Sequence, residues 1–239
     1  PVSSTRISAR MRRIQPSPSS AAADRFAELR RQGKDIVNLA IGEPDFDTPA
    51  HIRQAASEAI ERGETRYTPV AGTLALRQAI CAKFQRENGL DYAPRDIIVT
   101  CGAKHALFNA LSVTVEAGQE VIVPAPFWVS YPDMVLACDG TPVIVPCKEE
   151  DSFRLTPEAL EAAITPATRW LVFNSPTNPT GTTYTTAQLR ALADVLLRHT
   201  QVMVLADDIY EHIRFGDVPK PQHLLVIERA ALDHVVLAR

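Results

Sequence analysis

Excess charge, paired cysteines, metal-ligand spacing and long apolar runs are all missing from this chain. Its 239 residues carry a formal net charge of −3, which gives no reason to expect nucleic acid or an anionic membrane surface as partner. No apolar run approaches the roughly 20 residues of a membrane span. The Arg-rich, polar start has no signal-peptide core. The four cysteines, Cys81, Cys101, Cys138 and Cys147, show neither metal nor redox spacing and read as reduced, mostly buried thiols of a cytoplasmic protein. The six histidines show no metal spacing either. Glu43, Asp45 and Asp47 interleave with Pro44 and Phe46, and nothing completes a ligand set around them. No GxGxxG dinucleotide fingerprint appears.

What is present is an ordinary globular composition, 46% hydrophobic and 22% charged, long enough to bury a substantial core. Residues 1–20 lack apolar periodicity and read as an arm. Helices are expected over 21–32, 49–62 and 72–88, the first and last closed by Gly33 and Gly89 and the second opened by Pro49 and closed by Gly63. A short strand is expected at 36–41. From there strand-like runs (97–100, 120–123, 141–145, 170–173, 202–206, 235–238) alternate with helical stretches (103–116, 128–138, 157–164, 185–198). That alternation predicts an α/β fold, a mostly parallel sheet flanked by helices.

Two of the strand-like runs stop abruptly at polar groups. One ends in Asn174-Ser175-Pro176-Thr177-Asn178-Pro179-Thr180-Gly181, the other in Ala206-Asp207-Asp208-Ile209-Tyr210-Glu211. Ligands of open α/β sheets sit beyond the carboxyl ends of strands. These two ends offer an amide, a carboxylate and a phenol to one crevice. Taken singly, each has a plainer reading. Asp207 could cap the next turn, Tyr210 could be a half-buried surface residue, and Asn178-Pro179 could be a turn with no ligand. Gly102-Ala103-Lys104 lies between a strand and a helix, where free N–H groups and the helix dipole make an anion site; Lys104 alone also reads as a solvated surface lysine.

These segments, with IGEPDFDTP from Ile41, RYTPVAG from Arg66 and PAPFWVSYP from Pro124, resemble the signature segments of class I aminotransferases of the pyridoxal-phosphate fold type I. The similarity covers about residue 20 to the end and is greatest to the prokaryotic aspartate aminotransferases. It implies the fold of the large domain for residues 46–239, and an N-terminal arm with part of a small domain for 1–45. It implies pyridoxal 5′-phosphate as cofactor. Asp207 would face the ring nitrogen, where an opposite charge favours the protonated form. Tyr210 and Asn178 would bond the ring's 3′ oxygen. Gly102, Ala103 and Lys104 would hold the phosphate, and Trp128 would stack on the ring, leaving Phe127 to the core. Tyr67 would reach the phosphate of a neighbouring subunit in a homodimer. Gly42, Trp128 and Asn178 would meet the substrate.

The family's cofactor-bearing lysine lies in a Ser-Lys motif just after a strand that matches 235–238. None of Lys34, Lys83, Lys104, Lys148 and Lys220 sits in such a motif, so that lysine is expected beyond Arg239. The resemblance therefore implies transfer of an amino group from an amino acid, aspartate first, to a 2-oxo acid such as 2-oxoglutarate, in a longer polypeptide, with this chain alone inactive. Three alternatives stand beside it: a pyridoxal-phosphate lyase, a non-catalytic cofactor-binding or dimerising module, and a regulator with a DNA-binding domain upstream.

Overall fold

The computed structural model describes residues 7–39, 42, 44–213 and 215, and the backbone of 235–238. It separates into two compact units, one formed by Pro1–Gln15 with Leu74–Arg239, the other by Pro16–Thr73. Neither break falls near residue 45.

The smaller unit holds helices α1 (Pro18–Arg31) and α2 (Ala50–Glu61). Pro18 opens the first of them, where its missing N–H costs nothing. Neither helix has a buried residue. The expected strand at 36–41 does not form over its described part, 36–39, where Val37 and Leu39 are exposed. A single extended segment has no ladder of its own, and no partner strand is present among the described residues.

The larger unit follows the alternation read from the sequence. Its elements are α3 (Leu74–Lys83), α4 (Ala103–Thr114), β1 (Glu120–Ala125), α5 (Ser130–Ala137), β2 (Thr141–Pro146), α6 (Pro157–Ala163), β3 (Thr168–Asn174), α7 (Thr186–Arg198), β4 (Met203–Asp207) and β5 (Val235–Ala238). The strands form one sheet in the order β2-β1-β3-β4-β5, and every pairing is parallel. Local chemistry marks the helix starts. Thr156 and Thr185 accept from Ala159 N and Gln188 N, and Gln188 returns a bond to Thr185 N to complete a capping box.

Strand side chains alternate between faces, and the core divides accordingly. Val121, Val123, Trp170, Val172 and Leu205 pack with Leu107 and Leu111 of α4 and Val135 of α5. Ile122, Leu171, Phe173, Val204 and Ala206 pack with Leu160 of α6 and Leu189, Leu192 and Leu196 of α7. Helices thus cover both faces. The order reverses at β1, so β1 and β3 flank a switch point, where such sheets bind ligands at their carboxyl edge.

Three expectations need correction. Residues 97–100 form no strand: Ile97 is extended, but no ladder reaches it among the described residues. The helix expected over 72–88 is regular only for Leu74–Lys83 and then widens into a π-helical turn, Phe84–Asn88, closed by left-handed Gly89. Of the cysteines only Cys138 is buried, and Cys101 is exposed. All four are free, and burial pushes the Cys138 and Cys147 thiols up from their ordinary range. No described helix is long and apolar enough to cross a membrane.

Candidate active site at the carboxyl edge of the sheet

Asp207 is the last residue of β4 and is only 4% exposed. Its Oδ2 accepts a 2.7 Å hydrogen bond from the Tyr131 hydroxyl. Its Oδ1 has one long contact, 3.4 Å from Ile209 N. Burial raises the pKa of this carboxyl, against the lowering effect of the Tyr131 and Ile209 bonds. A buried carboxylate with a spare acceptor oxygen is a place for a cation. Burial, then the charge of Asp207, pushes the Tyr131 phenol well above its ordinary value, so Tyr131 stays a donor.

Tyr210 lies in the turn after β4. Its hydroxyl accepts from Asn178 Nδ2 at 3.3 Å, so the phenol and the amide point into the same crevice. Asn174, at the end of β3, bonds to both sides, donating to the Asp207 carbonyl at 2.7 Å and accepting from Asn178 N at 2.8 Å. Phe127, Tyr131, Asn174 and Asn178 line a void of about 20 Å³ at this edge.

Trp128 precedes α5 and meets the Tyr131 ring edge-on, with centroids 5.4 Å apart. Phe127 and Trp128 both pack at the margin of the core. The Lys104 ammonium sits 4.7 Å from the centre of the indole ring, a cation–π distance. Lys104 belongs to the first turn of α4, whose cap residue is Gly102 with φ +83°. The first N–H groups of a helix have no acceptor within it, so the N–H groups of Ala103 and Lys104 could hold an anion, whereas Gly102 N already donates to the Thr100 carbonyl at 2.8 Å. Lys104, Trp128, Tyr131 and Asp207 form one run of contacts, and Asn174 joins it to Asn178 and Tyr210. Gly42 and Tyr67 belong to the smaller unit, where both are exposed.

Tyr131 and Asn174 were not among the residues expected from the sequence. A tyrosine on a helix face that is otherwise apolar was the available signal, because a buried phenol needs a partner. Farther off, Glu87, Glu211 and His212 bring ligand atoms within 4.8 Å of one another. Lys83 Nζ contacts Glu211 and lies 3.5 Å from Glu87, which also pairs with Arg86 at 2.6 Å, so two side-chain cations already serve these carboxylates. Lys83 and Glu211 also border a larger groove of about 590 Å³, which contains none of the expected site residues.

The family model described as "Aminotransferase class I and II" matches residues 34–238. An aspartate/prephenate aminotransferase of Cereibacter sphaeroides is 54% identical over 211 residues, 88% of this chain and 53% of that protein. The crystal structure of the aspartate aminotransferase from Rhizobium meliloti superposes with a TM-score of 0.88 at 48% identity, over 93% of this chain and 56% of the other. For the aspartate aminotransferase from Thermus thermophilus with maleate the values are 0.90 and 43%, over 97% and 59%. The chain spans about half the length of the curated relatives it matches.

Proposed function

The chain belongs to the class I and II aminotransferase family, and on that premise we propose that it forms the cofactor-cradling part of a pyridoxal 5′-phosphate-dependent aminotransferase. The observation that carries the reading is the buried Asp207 carboxylate, held by Tyr131 through Oδ2 with Oδ1 left for a partner. The donor set fits the cofactor. It combines a carboxylate for a ring nitrogen, an amide and a phenol for a ring oxygen, an indole for a ring face and a helix start for a phosphate.

Bound there, pyridoxal 5′-phosphate supplies an electron sink for chemistry at the α-carbon of an amino acid. Asp207 holds the proton on the ring nitrogen, because an adjacent negative charge raises the affinity of that nitrogen for a proton. Tyr131 holds the carboxylate in place by occupying its other oxygen. Asn178 and Tyr210 bind the ring oxygen, and Asn178 also meets the substrate carboxylate. Trp128 covers the ring and excludes water. The N-terminus of α4, with Gly102, Ala103 and Lys104, takes the phosphate, and Tyr67 reaches the phosphate of a neighbouring subunit, which makes the working unit a homodimer. The lysine that carries the cofactor follows Arg239 in the longer polypeptide.

Aspartate is the amino donor and a 2-oxo acid such as 2-oxoglutarate the acceptor, in a cytoplasmic protein. The names of the relatives, aspartate and aspartate/prephenate aminotransferase, support the donor and add prephenate as a second acceptor to try. The test is to express the coding sequence extended past Arg239 and follow loss of aspartate with each acceptor. Transfer by the extended protein and none by the 239-residue chain supports the reading. Elimination products instead of a 2-oxo acid would favour a lyase, and robust turnover by the shorter chain would refute the assignment of the lysine.

A further inference from the structure

Asn174 and Asp207 end adjacent parallel strands and are register partners. Past this point the β3–β4 ladder stops, yet both following segments carry cofactor-site residues. The Asn174 side chain takes over from the ladder. A carboxamide is a planar donor–acceptor group like a peptide unit, and this one uses both ends across the gap. Nδ2 donates to the Asp207 carbonyl at 2.7 Å, and Oδ1 accepts from Asn178 N at 2.8 Å. The loop from Asn174 is pinned as well. Thr177 Oγ1 donates to the Asn174 carbonyl at 2.8 Å, Thr177 N donates to the Thr182 carbonyl at 3.0 Å, and Gly181 N donates to the Thr177 carbonyl at 2.7 Å. Asn178 then presents its own Nδ2 to the Tyr210 hydroxyl.

We propose that Asn174 is a positioning residue for cofactor recognition: its one carboxamide sets the spacing between the Asp207 carboxylate and the Asn178–Tyr210 pair. The inference rests on the proposed function and deepens it. Fixing the Asp207 carbonyl fixes the backbone from which the carboxylate projects; fixing Asn178 N fixes the start of the Asn178 side chain. Two groups that would meet the nitrogen and the 3′ oxygen of one rigid ring are thereby referred to one planar side chain. Few residues can replace it. Aspartate keeps the acceptor and loses the donor, and alanine loses both.

The test uses the extended, cofactor-binding protein and its N174A and N174D variants. Three quantities are measured: the dissociation constant for pyridoxal 5′-phosphate, the pH midpoint of its visible absorption band, and the melting temperature. The midpoint reports the donors at the ring oxygen, which a turn-stabilising role would not move. For N174A, loss of two neutral hydrogen bonds weakens the cofactor about tenfold or more, and the slackened Asn178–Tyr210 pair lets the midpoint rise by roughly half a unit. N174D keeps the bond from Asn178 N and sets an acceptor against the Asp207 carbonyl. It weakens the cofactor to a similar degree, about tenfold, and leaves the midpoint near that of the parent.

A folded N174A protein whose midpoint and dissociation constant match those of the parent, whatever its melting temperature, overturns the proposal. If N174A does not fold, N174D decides: parent-like affinity overturns it. A parent that binds no cofactor overturns the proposed function and this inference together, whereas a binding parent with indifferent variants sinks the inference alone.

Discussion

Tyr131 and Asp207, 76 residues apart in sequence, are joined by a 2.7 Å hydrogen bond inside the protein. The phenol comes from α5 after β1, and the carboxylate from the end of β4. Two crossover units thus supply one buried pair at the sheet's carboxyl edge. Removing the donor leaves the charge buried with only the long contact to Ile209 N. Y131F is expected to cost about 1–3 kcal/mol of stability at pH 8, as for an under-bonded buried group, and less at low pH, once Asp207 is protonated. Urea unfolding at pH 8 and at low pH checks both the size and the pH difference.

The direction of that pH difference follows from Asp207. Burial raises its folded pKa above the unfolded value, so the folded chain binds more protons between the two. Stability falls as pH climbs through that window, and the ionised carboxylate is a burden on the cofactor-free protein at neutral pH. D207N keeps an oxygen that can accept from Tyr131 and removes the charge. The cofactor-free variant should melt higher than the parent at pH 8 and show no such gain at pH 4. Scanning calorimetry at both values is the check.

Gly102 and Gly140 should fail as alanines for opposite reasons. At Gly102 an added Cβ meets nothing within 4 Å, but φ is +83°; G102A should cost roughly 1–2 kcal/mol as backbone strain. At Gly140 the added Cβ would lie 2.5 Å from Val115 Cγ1 and 3.1 Å from Val135 Cγ1, and G140A should cost about 1–3 kcal/mol by overpacking. Shortening the neighbour, in G140A with V115A, should recover part of the second loss and, as V115A with G102A, none of the first. Denaturant melts of the single and double variants make the distinction.

Lys83 ties the end of α3 to the turn that carries Tyr210. Its ammonium contacts Glu211, donates to Asn88 Oδ1 at 3.1 Å, and lies 3.5 Å from Glu87. The Glu211 side chain is only 13% exposed, so K83M removes its ammonium partner and leaves it the bond from Asn88 Nδ2 at 3.1 Å and the His212 ring at 3.2 Å. A loss of about 1–3 kcal/mol is expected, with hydrogen exchange at residues 208–213 rising more than in β3. Equal change in both regions would show that the tie is not local.

Most of the large unit was legible because its strands are apolar runs bounded by polar stops, and β5 falls where the 235–238 run predicts it. The run at 97–100 has the same composition, yet a strand exists only through its neighbour, which no local pattern reports. The failed strand at 36–39 has the same cause. That Asp207, Asn178, Tyr210, Trp128 and Lys104 gather at one edge of the sheet was legible through the ordered motifs they share with a family. Tyr131 and Asn174 were not, because their roles lie in bonds to residues 76 and 33 positions away. Tyr131 sits in a helix where an aromatic reads as core, and Asn174 reads as the first polar residue after a strand until its register with Asp207 is known.

On the proposed function, the Asp207 carboxylate would keep a proton on the ring nitrogen of the cofactor. Nitrogen NMR of pyridoxal 5′-phosphate labelled at that atom, bound to the extended protein and to its D207N variant at pH 8, addresses it directly. A protonated ring nitrogen is expected in the parent and an unprotonated one in D207N. The same chemical shift in both would contradict it.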